Sequence, residues 1–92
     1  MFLFFDTETT GLPQRWNAPI TDLDNWPRMV QLAWIMCDEK GNIIEERSDI
    51  VKPEGFVIPA EASRVHGITT AKAQAEGKDL LSVLEVFSDK ID

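Results

Sequence analysis

Phe2-Leu3-Phe4-Phe5-Asp6-Thr7-Glu8-Thr9-Thr10-Gly11 is the stretch of this 92-residue chain that decides its fold. Four large apolar residues in succession predict a short strand. Because every position in the run is apolar, we expect the strand to be covered on both faces and to lie centrally in a sheet. Two acids separated by one residue follow. Side chains of a strand alternate between its faces, so Asp6 and Glu8 project to one side and Thr7 to the other.

The two acids are candidate metal ligands. Two carboxylates on one face repel each other unless a cation lies between them, and hard divalent cations such as Mg²⁺ or Mn²⁺ prefer oxygen ligands. An acid pair of this spacing is also common as the polar end of an ordinary strand. Here the strand runs directly into Thr9-Thr10-Gly11, a turn with exposed hydroxyls and backbone donors, and this context favours the metal site.

Composition and charge limit the class of protein. The chain is 43% hydrophobic and 27% charged, an ordinary globular balance, and its length allows one small domain at most. The formal net charge of −7 argues against a protein that coats nucleic acid through a basic face. The single Cys37 cannot form an internal disulfide, which fits a reducing cytoplasm. We expect neither a signal peptide nor a membrane-spanning segment.

A long connection occupies residues 12–28, where three prolines break any regular period. Connections of this length in compact domains tend to be functional or disordered. Trp16 and Trp26, with Arg15 and Arg28 nearby, would suit stacking against a nucleic-acid strand. The alternative, which we favour, is that the tryptophans pin the loop to the body of the protein.

Two further strands are predicted after the loop. Residues 29–37 form a second strongly apolar run, and residues 43–51 form a third, more polar run that is expected nearer a sheet edge. The turn residues at 38–42 join the two runs as an antiparallel hairpin.

Helices are predicted in the remaining part of the chain. Pro59 suits the start of a single helical turn, and Thr69 or Thr70 can cap a short helix that ends at Gly77. Asp79 caps a last helix with one apolar stripe, formed by Leu80, Leu84, Phe87 and Ile91.

The apolar strand followed by Asp-Thr-Glu-Thr-Thr-Gly resembles the first motif of the DEDD superfamily of 3′–5′ exonucleases. The most similar branch is the one that contains the DNA polymerase III epsilon proofreading subunit. Lys52-Pro53, Ile58-Pro59 and Val65-His66-Gly67-Ile68-Thr69 also match segments of that family, in order. The resemblance implies that residues 1–92 are the N-terminal part of one exonuclease domain. Its fold would be the first half of a ribonuclease H-like α/β fold, a three-stranded antiparallel meander followed by helices, without the family's C-terminal strands.

The resemblance also implies roles for individual residues. Asp6 and Glu8 would be catalytic metal ligands, two of the four acids that hold two Mg²⁺ or Mn²⁺ ions in the complete domain. No position matches the other two acids or the general base, so we expect this chain to hold at most one ion weakly and to be inactive alone. Contacts to the terminal nucleotide are implied for six residues: Thr7, Thr9, Thr10, Gly11, Leu12 and His66. The alternative for His66 is a structural role.

The function implied is removal of nucleoside 5′-monophosphates from the 3′ end of single-stranded nucleic acid. DNA is the expected substrate, in proofreading during DNA replication or in repair, with a DNA polymerase subunit as a candidate partner. The residues do not themselves distinguish DNA from RNA. The alternative is a non-catalytic, truncated exonuclease-like fold that acts as a binding or interaction module. Such a fold would self-associate through the sheet edge that the missing strands should cover.

Overall fold

The computed structural model describes residues 1–91 and contains a three-stranded antiparallel sheet followed by three helices. The strands are β1 (Phe2–Thr9), β2 (Met29–Cys37) and β3 (Ile43–Ile50), and the helices are α1 (Ala60–His66), α2 (Thr70–Glu76) and α3 (Leu80–Ile91). The strands lie in the sheet in their chain order, with β2 in the middle. The predicted meander, its hairpin and the polar edge position of β3 are therefore confirmed.

Helix α3 covers one face of the sheet. Phe5 is opposite Trp34 in the register of β1 and β2, and the ring of Phe5 lies 5.3 Å from the ring of Phe87 on α3, edge to face. The buried residues of this layer are Leu32, Trp34, Val51 and Val83. Burial of these apolar side chains is the main favourable contribution that holds α3 on the sheet.

The opposite face of the sheet is open within residues 1–91. β1 pairs with β2 alone, and Phe4, which lies on the face opposite to that of Phe5, is 61% exposed. The expectation of a central strand covered on both faces is therefore wrong for the part of the chain that the structure describes. A continuous apolar run indicates how much apolar surface a strand carries, but the elements that cover it must come from elsewhere in the fold.

A second apolar cluster lies where α1 and α2 meet the sheet. Its centre is Val30, which is fully buried and packs with residues of the α1–α2 region: Ile58, Ala62, Ile68 and Ala73. The register of β1 and β2 shifts between Glu8 and Thr9, so Val30 has no residue opposite it on β1. Since Val30 lies between the partners of Glu8 and Thr9, the α1–α2 cluster lies beside the end of the acid-bearing strand.

The helix ends follow the predicted signals. Thr69 caps α2 by accepting a hydrogen bond from the backbone N–H of Lys72 (3.1 Å), and the carboxylate of Asp79 accepts one from the N–H of Ser82 (3.0 Å). Gly67 ends α1 with a φ of 77°, in the left-handed region that favours glycine.

The apolar stripe of α3 differs from the predicted one. Val83 is buried, and Val86 and Phe87 pack partly buried beside it, whereas the predicted stripe of Leu80, Leu84, Phe87 and Ile91 is exposed apart from Phe87. Helical periodicity alone is compatible with more than one apolar stripe on α3, because Leu81, Val83 and Val86 are apolar as well. The three-stranded sheet is too narrow to cover them all, and its position selects the stripe around Val83.

Asp49 of β3 is a buried carboxylate held by two cations. Arg47 Nε lies 2.6 Å from Asp49 Oδ2 and Lys78 Nζ lies 3.0 Å from Asp49 Oδ1. Burial acts to raise the pKa of Asp49, but the hydrogen bonds from Lys78 and Arg47 prevail and the pKa lies below its usual value of 3.8. This network joins the end of β3 to the segment between α2 and α3.

We expect Asp49→Asn to lower the free energy of unfolding at pH 7 by about 1–3 kcal/mol, because hydrogen bonds to a charged group are lost. A carboxyl whose pKa is lowered by folding stabilises the protein above its unfolded-state pKa. That stabilisation is lost as the pH falls through the folded-state pKa. The difference between wild type and variant, measured by urea unfolding, should therefore shrink as the pH falls from about 5 to 2. Asp89→Asn, at an exposed acid of α3, is the control. A difference that does not change with pH would contradict this account.

Candidate active site

Asp6 and Glu8 lie on the open face of the sheet, as their spacing predicts. Asp6 is opposite Ala33 and Glu8 is opposite Gln31 in the register with β2. Phe5, the residue before Asp6, contacts α3. Because side chains alternate along a strand, both acids lie on the face away from that helix. One carboxylate oxygen of Asp6 accepts a hydrogen bond from the backbone N–H of Thr7 (2.9 Å).

No cation of residues 1–91 forms an ion pair with either carboxylate. The side chains opposite them on β2, Ala33 and Gln31, carry no charge, and the amide of Gln31 donates to the hydroxyl of Ser48 (3.0 Å). Two neighbouring acids without a compensating charge are suited to a hard divalent cation. Within the same residues no group of three or more potential metal ligands comes together, so Asp6 and Glu8 remain a pair of candidate ligands.

The turn after β1 uses the hydroxyls of both threonines. The Thr9 hydroxyl donates to the carbonyl of Gly11 (3.0 Å) and accepts from its N–H (3.3 Å). The Thr10 hydroxyl accepts from the N–H of Arg28 (2.9 Å), and the Thr10 N–H donates to the Arg28 carbonyl (3.0 Å). Gly11 has a φ of 143°, and Leu12 beyond it is 80% exposed. The turn is thus built by local hydrogen bonds that close the base of the following loop and present Leu12 to solvent.

Thr7 is set apart from the other candidate residues. It lies opposite Leu32, which is buried against α3, so its side chain belongs to the face opposite the acids. Its backbone N–H is bonded to Asp6. The structure therefore brings the backbone of Thr7, and not its hydroxyl, to the acid pair.

His66 ends α1 and is tied to its own turn. Its Nδ1 accepts a hydrogen bond from the backbone N–H of Ile68 (3.1 Å), while Nε2 is buried without a hydrogen-bond partner among residues 1–91. In neutral imidazole one nitrogen accepts and the other carries the proton, so Nε2–H is a donor with no acceptor in this part of the chain. Ile68 packs on Val30 beside the bulge. No hydrogen bond or ion pair within residues 1–91 joins His66 to Asp6 or Glu8.

The loop of residues 12–28 is organised by Asn25, which the sequence did not single out. The buried side-chain amide of Asn25 binds both backbone groups of Arg15, accepting from N–H (2.7 Å) and donating to the carbonyl (2.9 Å). Trp26 donates from Nε1 to the carbonyl of Pro19 (2.8 Å). Trp26 is thus bonded within the loop itself, so pinning of the loop to the body of the protein stays a prediction for Trp26 and is wrong for Trp16, which is 73% exposed.

Three antiparallel strands followed by three helices are the arrangement of a partial ribonuclease H-like fold. A model of the RNase_T family, described as exonuclease, matches residues 3–92. The chain belongs to this exonuclease family, which confirms the DEDD-type 3′–5′ exonuclease resemblance, and its fold is a partial ribonuclease H-like exonuclease fold. Among curated proteins none matches the sequence.

Solved structures of Exonuclease I from E. coli are similar to this chain. Its complex with a dA16 oligonucleotide has 26% identity and a TM-score of 0.73 over 95% of this chain and 17% of the other. Its complex with a dT13 oligonucleotide has 30% identity and a TM-score of 0.63 over 84% of this chain and 15% of the other. The chain therefore spans less than one fifth of the Exonuclease I chains it matches.

Within residues 1–91, no helix has the length and apolar character needed to cross a membrane.

Proposed function

We propose that this chain is the N-terminal part of a metal-dependent exonuclease domain that removes nucleotides from the 3′ end of single-stranded DNA. The observation that carries the proposal is the uncompensated pair Asp6 and Glu8 at the end of β1, in a chain of the exonuclease family. The products would be nucleoside 5′-monophosphates. The oligonucleotide-bound structures of the similar Exonuclease I support DNA as the substrate.

Asp6 and Glu8 would hold Mg²⁺ or Mn²⁺ through their carboxylate oxygens. A bound ion would supply charge stabilisation for the phosphodiester and lower the pKa of a bound water. Thr9 to Leu12 would contact the terminal nucleotide, through backbone groups of the turn and the exposed side chain of Leu12. His66 is included among the proposed nucleotide contacts from the family resemblance of Val65 to Thr69, since its Nε2 is buried within residues 1–91.

We further propose that the domain is completed by polypeptide beyond residues 1–92. The open face of the sheet carries exposed Phe4, and the outer edge of β1 is unpaired among residues 1–91. Added strands would cover both, and would bring the remaining two acids and a general base to Asp6 and Glu8. Two carboxylates alone would hold one ion weakly, so this chain by itself would be inactive.

The proofreading assignment is the finer part of the proposal. The motif Asp6-Thr7-Glu8-Thr9-Thr10-Gly11 supports a branch like the polymerase III epsilon subunit, with a DNA polymerase subunit as partner in replication. The two solved structures described above, in contrast, are of Exonuclease I. The unpaired Cys37, which is buried, fits action in the cytoplasm.

Directional digestion tests the proposed activity. Single-stranded DNA labelled at its 5′ end should be shortened stepwise from the 3′ end by the completed domain in Mn²⁺, and released nucleotides should chromatograph as 5′-monophosphates. A strand whose 3′ end is blocked by a phosphorothioate linkage should resist digestion. The 92-residue chain under the same conditions should release nothing. Shortening from the 5′ end, or endonucleolytic cuts, would refute the proposal.

A second candidate function, a non-catalytic interaction module, is favoured by the exposed apolar residues of β1. Strands with an unpaired edge and exposed apolar side chains are templates for pairing with another chain. Size-exclusion chromatography of the 92-residue chain decides whether it self-associates through this edge. Phe4→Lys should restore a monomer if it does, whereas a wild-type monomer at high concentration would argue against the module.

A further inference from the structure

Trp16 is the tryptophan that the described fold does not use. The chain has three tryptophans, all within residues 1–91. Trp34 is buried in the core and Trp26 donates its indole N–H to Pro19, but Trp16 is 73% exposed. Leaving so large an apolar ring in water forgoes a burial energy of about 2–3 kcal/mol, which is recovered when a ligand covers the ring.

The loop presents Trp16 through a fixed backbone. Asn25 is buried, and its amide binds the N–H and the carbonyl of Arg15, the residue before Trp16, at 2.7 and 2.9 Å. This pair of hydrogen bonds holds the backbone of Arg15 in the way that a neighbouring strand would. Arg15 is further joined to Asp22 by an ion pair of 3.4 Å on the surface. Hydrogen bonds within the loop therefore hold the backbone next to Trp16, while its indole ring is mostly exposed among residues 1–91.

The base of the same loop is joined to the candidate active site. Thr10 exchanges two hydrogen bonds with Arg28, one through its backbone N–H and one through its hydroxyl, so the loop begins and ends at the turn that follows Glu8. Arg28 also lies over the ring of Phe56, at 5.3 Å from its centroid. The loop that carries Trp16 is therefore tied at both of its ends to the turn of the candidate site.

The charge of the chain bears on what would stack against Trp16. With a net charge of −7, the chain has little electrostatic attraction for a polyanion away from a bound metal ion. Stacking of bases on aromatic side chains supplies binding energy that needs neither a basic face nor a particular sequence. Such a contact suits an enzyme that shortens a strand without sequence preference, since each base in turn can occupy it.

We propose that Trp16 is a stacking platform for a base of single-stranded DNA upstream of the terminal nucleotide. The inference rests on the proposed function, which places the terminal nucleotide at Thr9 to Leu12. The loop would then extend the grip on the strand beyond the reacting end, with Asn25 as the residue that positions the platform.

Intrinsic fluorescence tests the proposal on the 92-residue chain in EDTA, where no digestion occurs. Oligo(dT) long enough to extend beyond the terminal dinucleotide should quench the emission of the exposed indole. Trp16→Ala should abolish the quenching and weaken binding, measured by anisotropy of labelled oligo(dT), by about 5- to 150-fold. Trp16→Phe should abolish the quenching but keep most of the affinity. Leu23→Ala, which removes another exposed apolar side chain of the same loop, should change neither.

The outcomes separate this inference from the function on which it rests. If wild type binds oligo(dT) and Trp16→Ala binds equally well, with an unchanged circular dichroism spectrum, the platform is refuted and the exonuclease assignment is untouched. If wild type binds no oligo(dT), the inference fails, and the digestion assay on the completed domain then decides the proposed function separately. If Trp16→Ala alters the size-exclusion profile and not DNA binding, Trp16 belongs to a protein interface and the inference is wrong.

Discussion

Asp6→Asn in the completed exonuclease domain is expected to lower the rate of nucleotide release by more than about 100-fold. Changing a residue that only orients a metal ligand costs about 10- to 100-fold, and Asp6 is proposed as a ligand itself. Asparagine keeps the size of the side chain and removes the charge, so the sheet should be unaffected. Steady-state release from labelled single-stranded DNA at saturating Mn²⁺ measures the effect.

Glu8→Gln should cause a loss of similar size, and the double variant should be little worse than either single variant. Residues that act as one unit give strongly non-additive losses. Glu39→Gln is the matched control, because Glu39 is an exposed acid in the turn between β2 and β3, away from the acid pair. Additive losses for Asp6→Asn and Glu8→Gln, or a rate that survives either change, would contradict a shared metal site.

Gly77→Ala is expected to be the most destabilising of the alanine substitutions at the five glycines. Gly77 has a φ of −74°, which any residue adopts, so the reason for glycine is space and not backbone conformation. A Cβ at this position would lie 2.6 Å from the N and 2.7 Å from the Cα of Lys52, and would also overlap the carbonyl oxygen of Ala73. All three are backbone atoms, so no side-chain rotation can relieve the contacts.

The cost of Gly77→Ala should reach about 3 kcal/mol in the free energy of unfolding, at the upper end for overpacking. Displacing this backbone would also disturb two hydrogen bonds that join the end of β3 to the segment before α3. The Lys52 N–H donates to the Lys78 carbonyl (2.8 Å), and the Lys78 N–H donates to the Ile50 carbonyl (2.8 Å). Urea unfolding followed by circular dichroism measures the effect.

Gly41→Ala is the control for this prediction. Gly41 has a φ of 87° and open space around it, so alanine there should cost only about 1–2 kcal/mol, from backbone conformation alone. Equal costs for Gly77→Ala and Gly41→Ala would mean that the backbone near Lys52 yields easily, and the steric account would be wrong.

The elements of this fold were predictable because their signals are local. The two apolar runs and the turn at 38–42 predict the hairpin, and Thr69 and Asp79 predict the helix starts, since these patterns depend on residues within a few positions of one another. The surroundings of β1 were not predictable in the same way. Phe4 is as apolar as a buried residue, yet its exposure depends on whether another element pairs with β1.

The acid pair of the candidate site was equally predictable, because two residues separated by one position share a face of any strand. The role of Asn25 in the loop and the close packing at Gly77 were not predictable from the sequence. Asn25 acts on Arg15, ten positions away, and Gly77 matters because the backbone of Lys52 passes close to it. Such contacts arise from tertiary structure, and nothing in the neighbouring residues indicates them.

The meander order of the strands has a consequence for how the chain folds. Each strand pairs with the strand that precedes or follows it in the sequence, so the sheet forms without a long loop closure outside residues 12–28. Proteins with such local pairing fold faster than those that must join distant segments. During synthesis, at about 5–20 residues per second, the sheet can therefore assemble soon after β3 leaves the ribosome. The exposed phenylalanines of β1 would then be a temporary target for chaperones until their proposed cover is made.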